Sequence, residues 1–202
     1  MMPKFKGATG IKPFLVDPAE KWCVLESLVG IIPRYVSGPI VEIGCTYGDS
    51  MYHRRKSTNI FAEKAMAAGV PFYTCDIKFQ VEIDYVKHTH FMGTSLDFIK
   101  QFDQTGLSIV FLDGCHAYDV VMEEFNFFYA RLKTGGMIFL HDTNPKREAL
   151  LAHGSCSDSY RVRQELETRR EDMEVFTWPY TAGNVGLTMV LKKETDRPYY
   201  LK

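Results

Sequence analysis

Two short segments carry the residues best suited to chemistry, Asp113-Gly-Cys-His116 and His141-Asp142. An imidazole near neutrality can take a proton from a hydroxyl, and carboxylates suit a hard divalent cation such as Mg²⁺ whose other positions hold water and substrate oxygens. Either device lowers the cost of making an oxyanion. Each histidine also has a plainer use. His116 can cap the helix that begins beside it, and His141 can serve as a structural hydrogen-bonding partner. His88 and His90 alternate on a strand-like run and read as structural.

A glycine-bearing corner lies upstream, Glu42-Ile-Gly44-Cys-Thr-Tyr-Gly48-Asp-Ser50. Its spacing is G-x-x-x-G, whereas a dinucleotide pyrophosphate is pressed against a helix N-terminus by the tighter G-x-G-x-x-G. The roomier loop suits a ligand that carries an amino acid. Glu42 would face its ammonium, and the loop backbone with Ser50 would face its carboxylate. Without a ligand the same corner is a tight strand-to-helix turn. Asp76 ends the next apolar run, where an acid can accept both hydroxyls of a ribose. Gly93-Thr94-Ser95 follows, able to accept an adenine edge or to cap a helix over Leu96 to Phe102.

These corners need strands to carry them. Apolar runs at Pro39 to Ile43, Pro71 to Cys75, Thr89 to Met92, Ser108 to Leu112 and Met137 to Leu140 each lead into one of the polar or glycine-bearing turns or follow a helix. Val121, Phe125, Phe128 and Leu132 step by four, three and four, which places one buried stripe on a helix from about Ala117 to Leu132. Gly135-Gly136 is expected to end that helix and turn the chain into the next strand. Alternating strands and helices predict an α/β, Rossmann-like doubly wound sheet, mostly parallel. Glu174 to Trp178 and Gly186 to Lys192 flank a Thr181-Ala-Gly-Asn184 corner and predict a C-terminal antiparallel hairpin. Before the first strand, Asp17-Pro-Ala-Glu20 opens a helix that runs through Val29. The expected organisation is one domain, with an N-terminal arm and helix over 1–38 and a catalytic core over 39–193.

From about residue 39 to 193 the sequence resembles the class I S-adenosylmethionine-dependent methyltransferases, in particular the small O-methyltransferases of the catechol type and the bacterial set related to cephalosporin and sugar biosynthesis. E-I-G-C-T-Y-G-D-S is similar to their E-x-G-x-x-x-G-x-S element, and G-T-S-L-D-F-I to their adenine corner. The most specific likeness is F-L-D-G-C-H-A-Y followed by R-L-K-T-G-G-M-I-F-L-H-D. The resemblance implies seven strands and S-adenosylmethionine as cofactor. Glu42, Gly44, Gly48 and Ser50 would hold its methionine part, Asp76 its ribose and Gly93, Thr94 and Ser95 its adenine, with Asp113 also at the cofactor. It implies His116 as general base, since metal-dependent relatives place a Lys or His three residues after a metal-binding Asp. A second metal Asp falls six residues past the last glycine of the turn, as Asp142 does past Gly136. The third ligand there is usually Asn or Asp, and Thr143 stands in its place. The implied metal set is Asp113, Asp142 and Thr143, holding Mg²⁺.

Composition sets the outer limits. The 202 residues are 46% hydrophobic and 24% charged, with 24 Lys+Arg against 25 Asp+Glu and a net charge of -1. That balance lacks the basic field which nonspecific nucleic-acid or acidic-membrane binding needs and leaves a small molecule as partner, which the resemblance implies is hydroxylated. The 5 cysteines (Cys23, Cys45, Cys75, Cys115 and Cys156) form no C-x-x-C pair and suit a reducing cytoplasm. No window approaches the apolar length of a membrane span. Self-association is left open. The rival readings are a nicotinamide-dependent oxidoreductase, which the glycine spacing disfavours, and a noncatalytic module that binds S-adenosylmethionine.

Overall fold

The computed structural model describes residues 37–45, 57–78, 83–169, 171–179 and 185–194, together with Leu25 and Val29. Seven strands form one sheet: β1 (Ile40–Ile43), β2 (Phe72–Asp76), β3 (His88–Met92), β4 (Leu107–Leu112), β5 (Leu132–His141), β6 (Met173–Trp178) and β7 (Leu187–Lys192). Their order across the sheet is β3-β2-β1-β4-β5-β7-β6. The first five run parallel, and β7 lies antiparallel between β5 and β6. The doubly wound sheet and its C-terminal hairpin are therefore as expected, while the Thr181 to Asn184 corner lies outside the described residues.

Among the described residues the strands are accompanied by α1 (Ser57–Ala68), α2 (Ser95–Gln101), α3 (Tyr118–Arg131) and α4 (Tyr160–Leu166). The sheet is covered on both faces, which is why β1 and β4 are buried at every position. Side chains alternate between two cores. Val41, Ile43, Val110, Leu112, Ile138 and Leu140 pack with Phe98, Phe125, Phe128 and Val162 of α2, α3 and α4. Ile40, Ile109, Phe111 and Phe139 pack on the other face with Ile60, Phe61 and Ala65 of α1, and with Leu25 and Val29. Leu25 and Val29 are helical, in line with the expected N-terminal helix, the rest of which lies outside the described residues.

Local chemistry explains most of the boundaries. The Thr94 hydroxyl accepts the Asp97 N–H at 3.1 Å and caps α2. The start of α3 has no such cap of its own. Its Tyr118 N–H donates instead to Asp158 at 2.8 Å, so a remote acid sits on the positive end of the helix. One expectation needs correcting. The glycine pair does not end the helix, because α3 stops at Arg131 and both glycines lie inside β5. Gly135 has φ +77°, and the pairing with β4 shifts register between Leu107 and Ile109, so the pair forms an irregularity within the strand.

Candidate functional site

The carboxyl ends of β1 to β4 open into a cavity of about 460 Å³ lined by Gly44, Asp76, Gly93, Ser95, Asp113 and Cys115, among others. Open parallel sheets bind ligands at this edge. The backbone ladder continues just beyond the strands. Gly44 N–H donates to the Cys75 carbonyl, Gly93 N–H to that of Asp76 and Asp113 N–H to that of Ile43, at 2.9, 2.9 and 2.8 Å. The corners are thereby locked side by side. Gly44 has φ +80°, and a Cβ there would lie 2.1 Å from the Asp113 carbonyl oxygen. Only glycine lets the first corner press this closely on the fourth.

Asp76 is held by two backbone donors, Cys45 N–H at 2.9 Å and Lys78 N–H at 2.8 Å. A carboxylate here is an acceptor of the kind that ligand hydroxyls need. Glu42 is fully buried on the α1 face, close to Ser57 and Thr58 at the start of that helix. Burial pushes its carboxyl up to about 8 against the pull of those hydroxyls, with Asp113 and Asp76 adding to the rise. Thr94 spends its hydroxyl on the α2 cap and its partner Asp97. Ser95 lines the cavity near Glu124, a buried acid of α3 that desolvation raises to about 7 against the pull of the Ser95 hydroxyl. Gly48 and Ser50 lie outside the described residues.

Next to this cavity, the ends of β4 and β5 bring Asp113, His116, His141 and Asp142 together. His141 Nδ1 lies 2.9 Å from Asp113 and 3.1 Å from Asp142. His116 Nε2 lies 3.1 Å from Asp142 and 3.6 Å from Asp113, and its Nδ1 faces the Ser155 carbonyl. Burial opposes charge on both rings, but the acids outweigh it, raising His116 above its ordinary value and His141 to about 9. For Asp113 burial likewise opposes charge, yet the two histidines hold the carboxyl well below the usual range. Residues 145–160 support the cluster. Ser155 meets His116, Asp158 caps α3, and Ser159 Oγ donates to the Asp142 carbonyl at 2.7 Å.

Asp142 is one of two non-glycine residues with positive φ, +59°, among those described. Its N–H donates to the Gly186 carbonyl at 3.1 Å, and Asn144 N–H to that of Val185 at 2.7 Å, so the start of β7 braces the corner. Thr143 is fully buried, its hydroxyl 2.6 Å from that of Thr188 on β7. Among the described His, Cys, Asp and Glu residues, the group whose donor atoms lie within 4.8 Å of one another is Asp113, His141 and Asp142. By sequence His141 reads as a structural hydrogen-bonding partner and stands outside the implied metal set. Its adjacency to Asp142 was the available signal. The Ser155 carbonyl and the Cys45 and Lys78 N–H groups are backbone contributions with no side-chain signature. His88 and His90 share the Thr74 hydroxyl at 2.8 Å each, away from this cluster, in the structural role expected.

A family model described as a methyltransferase domain matches residues 41–143, just over half of the chain. The chain belongs to this methyltransferase family. The match runs from β1 through the corner that follows β5 and so includes every described residue of the cavity and the acid–histidine cluster. No curated protein matches the sequence. Solved structures do resemble the fold. Cofactor-bound Rv0187 from MTB has a TM-score of 0.60 at 17% identity, covering 90% of this chain and 84% of its own. An O-methyltransferase from Bacillus cereus in complex with SAH gives 0.57 at 16%, covering 88% and 82%. The methyltransferase MycE from the mycinamycin biosynthetic pathway, in complex with Mg, SAH and mycinamycin VI, gives 0.57 at 16%, covering 90% of this chain but 52% of its own. At such identities the likeness is one of fold. No helix among the described residues is long and apolar enough to cross a membrane.

Proposed function

We propose that this protein is an S-adenosylmethionine-dependent O-methyltransferase acting on a small hydroxylated molecule such as a sugar, a phenol or a natural product. The observation that carries the reading is adjacency. Asp113, Gly114 and Cys115 form one wall of the cavity, and the next residue is His116, in contact with Asp142. A ligand in the cavity would thus present its reactive end to a basic imidazole.

The cavity fits the cofactor on its own chemistry. Asp76 lines the cavity at the end of β2, oriented by two N–H groups, and is an acid of the kind that accepts ribose hydroxyls. Ser95 can meet the adenine, and the bare Gly44 corner lets backbone approach the methionine part, with Glu42 behind it. Bound S-adenosylmethionine supplies a sulfonium-activated methyl group for in-line displacement by oxygen. His116 Nε2 receives the acceptor's hydroxyl proton. The Ser155 carbonyl fixes the ring through Nδ1, and Asp142 with Asp113 stabilises the imidazolium that results. The carboxylates also fit a divalent cation, held by Asp113 and Asp142, which would lower the pKa of a bound hydroxyl.

The absence of a basic field supports a small acceptor over nucleic acid. Free thiols at Cys45, Cys75, Cys115 and Cys156 support a reducing, cytoplasmic setting. Calorimetric titration with S-adenosylhomocysteine and with NADH tests the reading. Saturable binding of the first alone is expected, followed by methyl transfer from S-adenosylmethionine to a hydroxylated acceptor in a screen. Binding of NADH alone would overturn it.

A further inference from the structure

The acid–histidine cluster has the spacing of a coordination sphere. Neighbouring ligands about 2.1 Å from an octahedral ion lie about 3.0 Å apart. His141 Nδ1 stands 2.9 Å from Asp113 Oδ1 and 3.1 Å from Asp142 Oδ2, and the donor atoms of all three residues fall within 4.8 Å of one another. The oxygen donor that would complete an all-oxygen set is committed elsewhere, since the Thr143 hydroxyl is buried against Thr188.

We propose that Asp113, His141 and Asp142 form a mixed nitrogen–oxygen centre that takes a first-row transition dication in preference to Mg²⁺. The proposal rests on the reading above, in which this corner holds a divalent cation, and deepens it by naming the third protein ligand and with it the class of metal. Mg²⁺ favours oxygen donors in near-ideal octahedral geometry and gives up water reluctantly. Imidazole suits the later first-row dications, whose affinities rise from Mn²⁺ towards Cu²⁺. Burial supports the assignment, because His141 is 5% exposed and Asp113 and Asp142 are 12% and 11% exposed. The second layer is built as well. The Gly186 carbonyl and Ser159 hydroxyl fix the Asp142 backbone, and His141 Nδ1 stands 2.9 Å from Asp113 Oδ1, so the corner is braced before any ion arrives. His116 is outside the group of three whose donor atoms lie within 4.8 Å of one another, and keeps its role as base.

Pulsed electron paramagnetic resonance of the Mn²⁺-loaded full-length protein reads the nitrogen directly. We expect one ¹⁴N coupling from a coordinated imidazole, kept in His116→Gln and lost in His141→Asp. Calorimetry with Co²⁺ and Mg²⁺ should show Co²⁺ bound at least tenfold more tightly by the wild type, with His141→Asp narrowing that ratio severalfold as the site becomes all oxygen. A Mn²⁺ spectrum without ¹⁴N coupling, a coupling that survives His141→Asp, or no binding of Mn²⁺ or Co²⁺ up to millimolar concentration overturns the proposal. The wild-type spectrum decides the matter alone if His141→Asp does not fold. Titration with S-adenosylhomocysteine in chelator is run in parallel. Its failure beside an intact ¹⁴N signal removes the methyltransferase reading and leaves the metal centre standing.

Discussion

The ends of β1 to β3 and the ends of β4 and β5 lie along one edge of the sheet, yet they are made of different materials. The first region offers mostly backbone. Gly44 and Gly93 expose the main chain, Asp76 leans on two N–H groups, and Glu42 is an acid whose burial favours the neutral form. The second concentrates charge, two carboxylates against two imidazoles: the acids raise both rings, and the rings hold Asp113 low despite its burial. A region that only holds a ligand can work with shape and fixed dipoles. A region that moves a proton needs groups whose protonation can be exchanged among partners at small cost.

Substitutions that should affect one region and spare the other test this division. The largest effect is expected from His116→Gln. Turnover of an identified acceptor should fall by about 10²- to 10⁴-fold, while calorimetry shows S-adenosylhomocysteine affinity nearly unchanged. Collapse of both together would mean that the regions are not separable. Asp76→Ala should do the converse, weakening S-adenosylhomocysteine by about tenfold to a hundredfold, the worth of charge-assisted hydrogen bonds, with the ¹⁴N coupling of the Mn²⁺ form intact.

The smallest effect concerns stability and pH. Glu42 has its folded pKa raised from 4.5 to about 8, so the native state holds that proton more tightly than the unfolded chain. Its contribution is complete below about pH 4.5 and is lost as pH rises towards 8, with a slope no steeper than about 1.4 kcal/mol per pH unit. Glu42→Gln should therefore flatten the pH dependence of thermal unfolding of the ligand-free protein across that window. An unchanged slope would show that Glu42 is ionised and compensated, like Asp113 of the other region.

How legible each region was in the sequence follows from the range of the interactions involved. Strands buried on both faces appear as unbroken apolar runs, so β1, β2 and β4 were placed within about two residues. Gly44 was legible because a close backbone approach excludes every other residue type. Asp113, His116 and Asp142 were legible as an acid–base set at strand ends, and the structure does bring them together. The role of Thr143 was not. Its partner Thr188 is distant in sequence, and the contact exists only because β7 rather than β6 adjoins β5, an order that a hairpin pattern does not specify. The glycine pair of β5 failed for a similar reason. Gly-Gly after a helix has the same local pattern whether it stops the helix or bends a strand, and pairing with β4 decides between them.

The position of β7 has a consequence for biosynthesis. It is the last strand of the sheet to leave the ribosome, yet it takes an interior place between β5 and β6. Until it arrives, the nascent protein carries β5 as an open edge able to pair with other chains. Asp142 also lacks the carbonyl of Gly186 that fixes its backbone. The reactive corner is therefore completed by the final segment of the sheet to be made, so a chain arrested before β7 would have the cofactor corners without a finished site for chemistry.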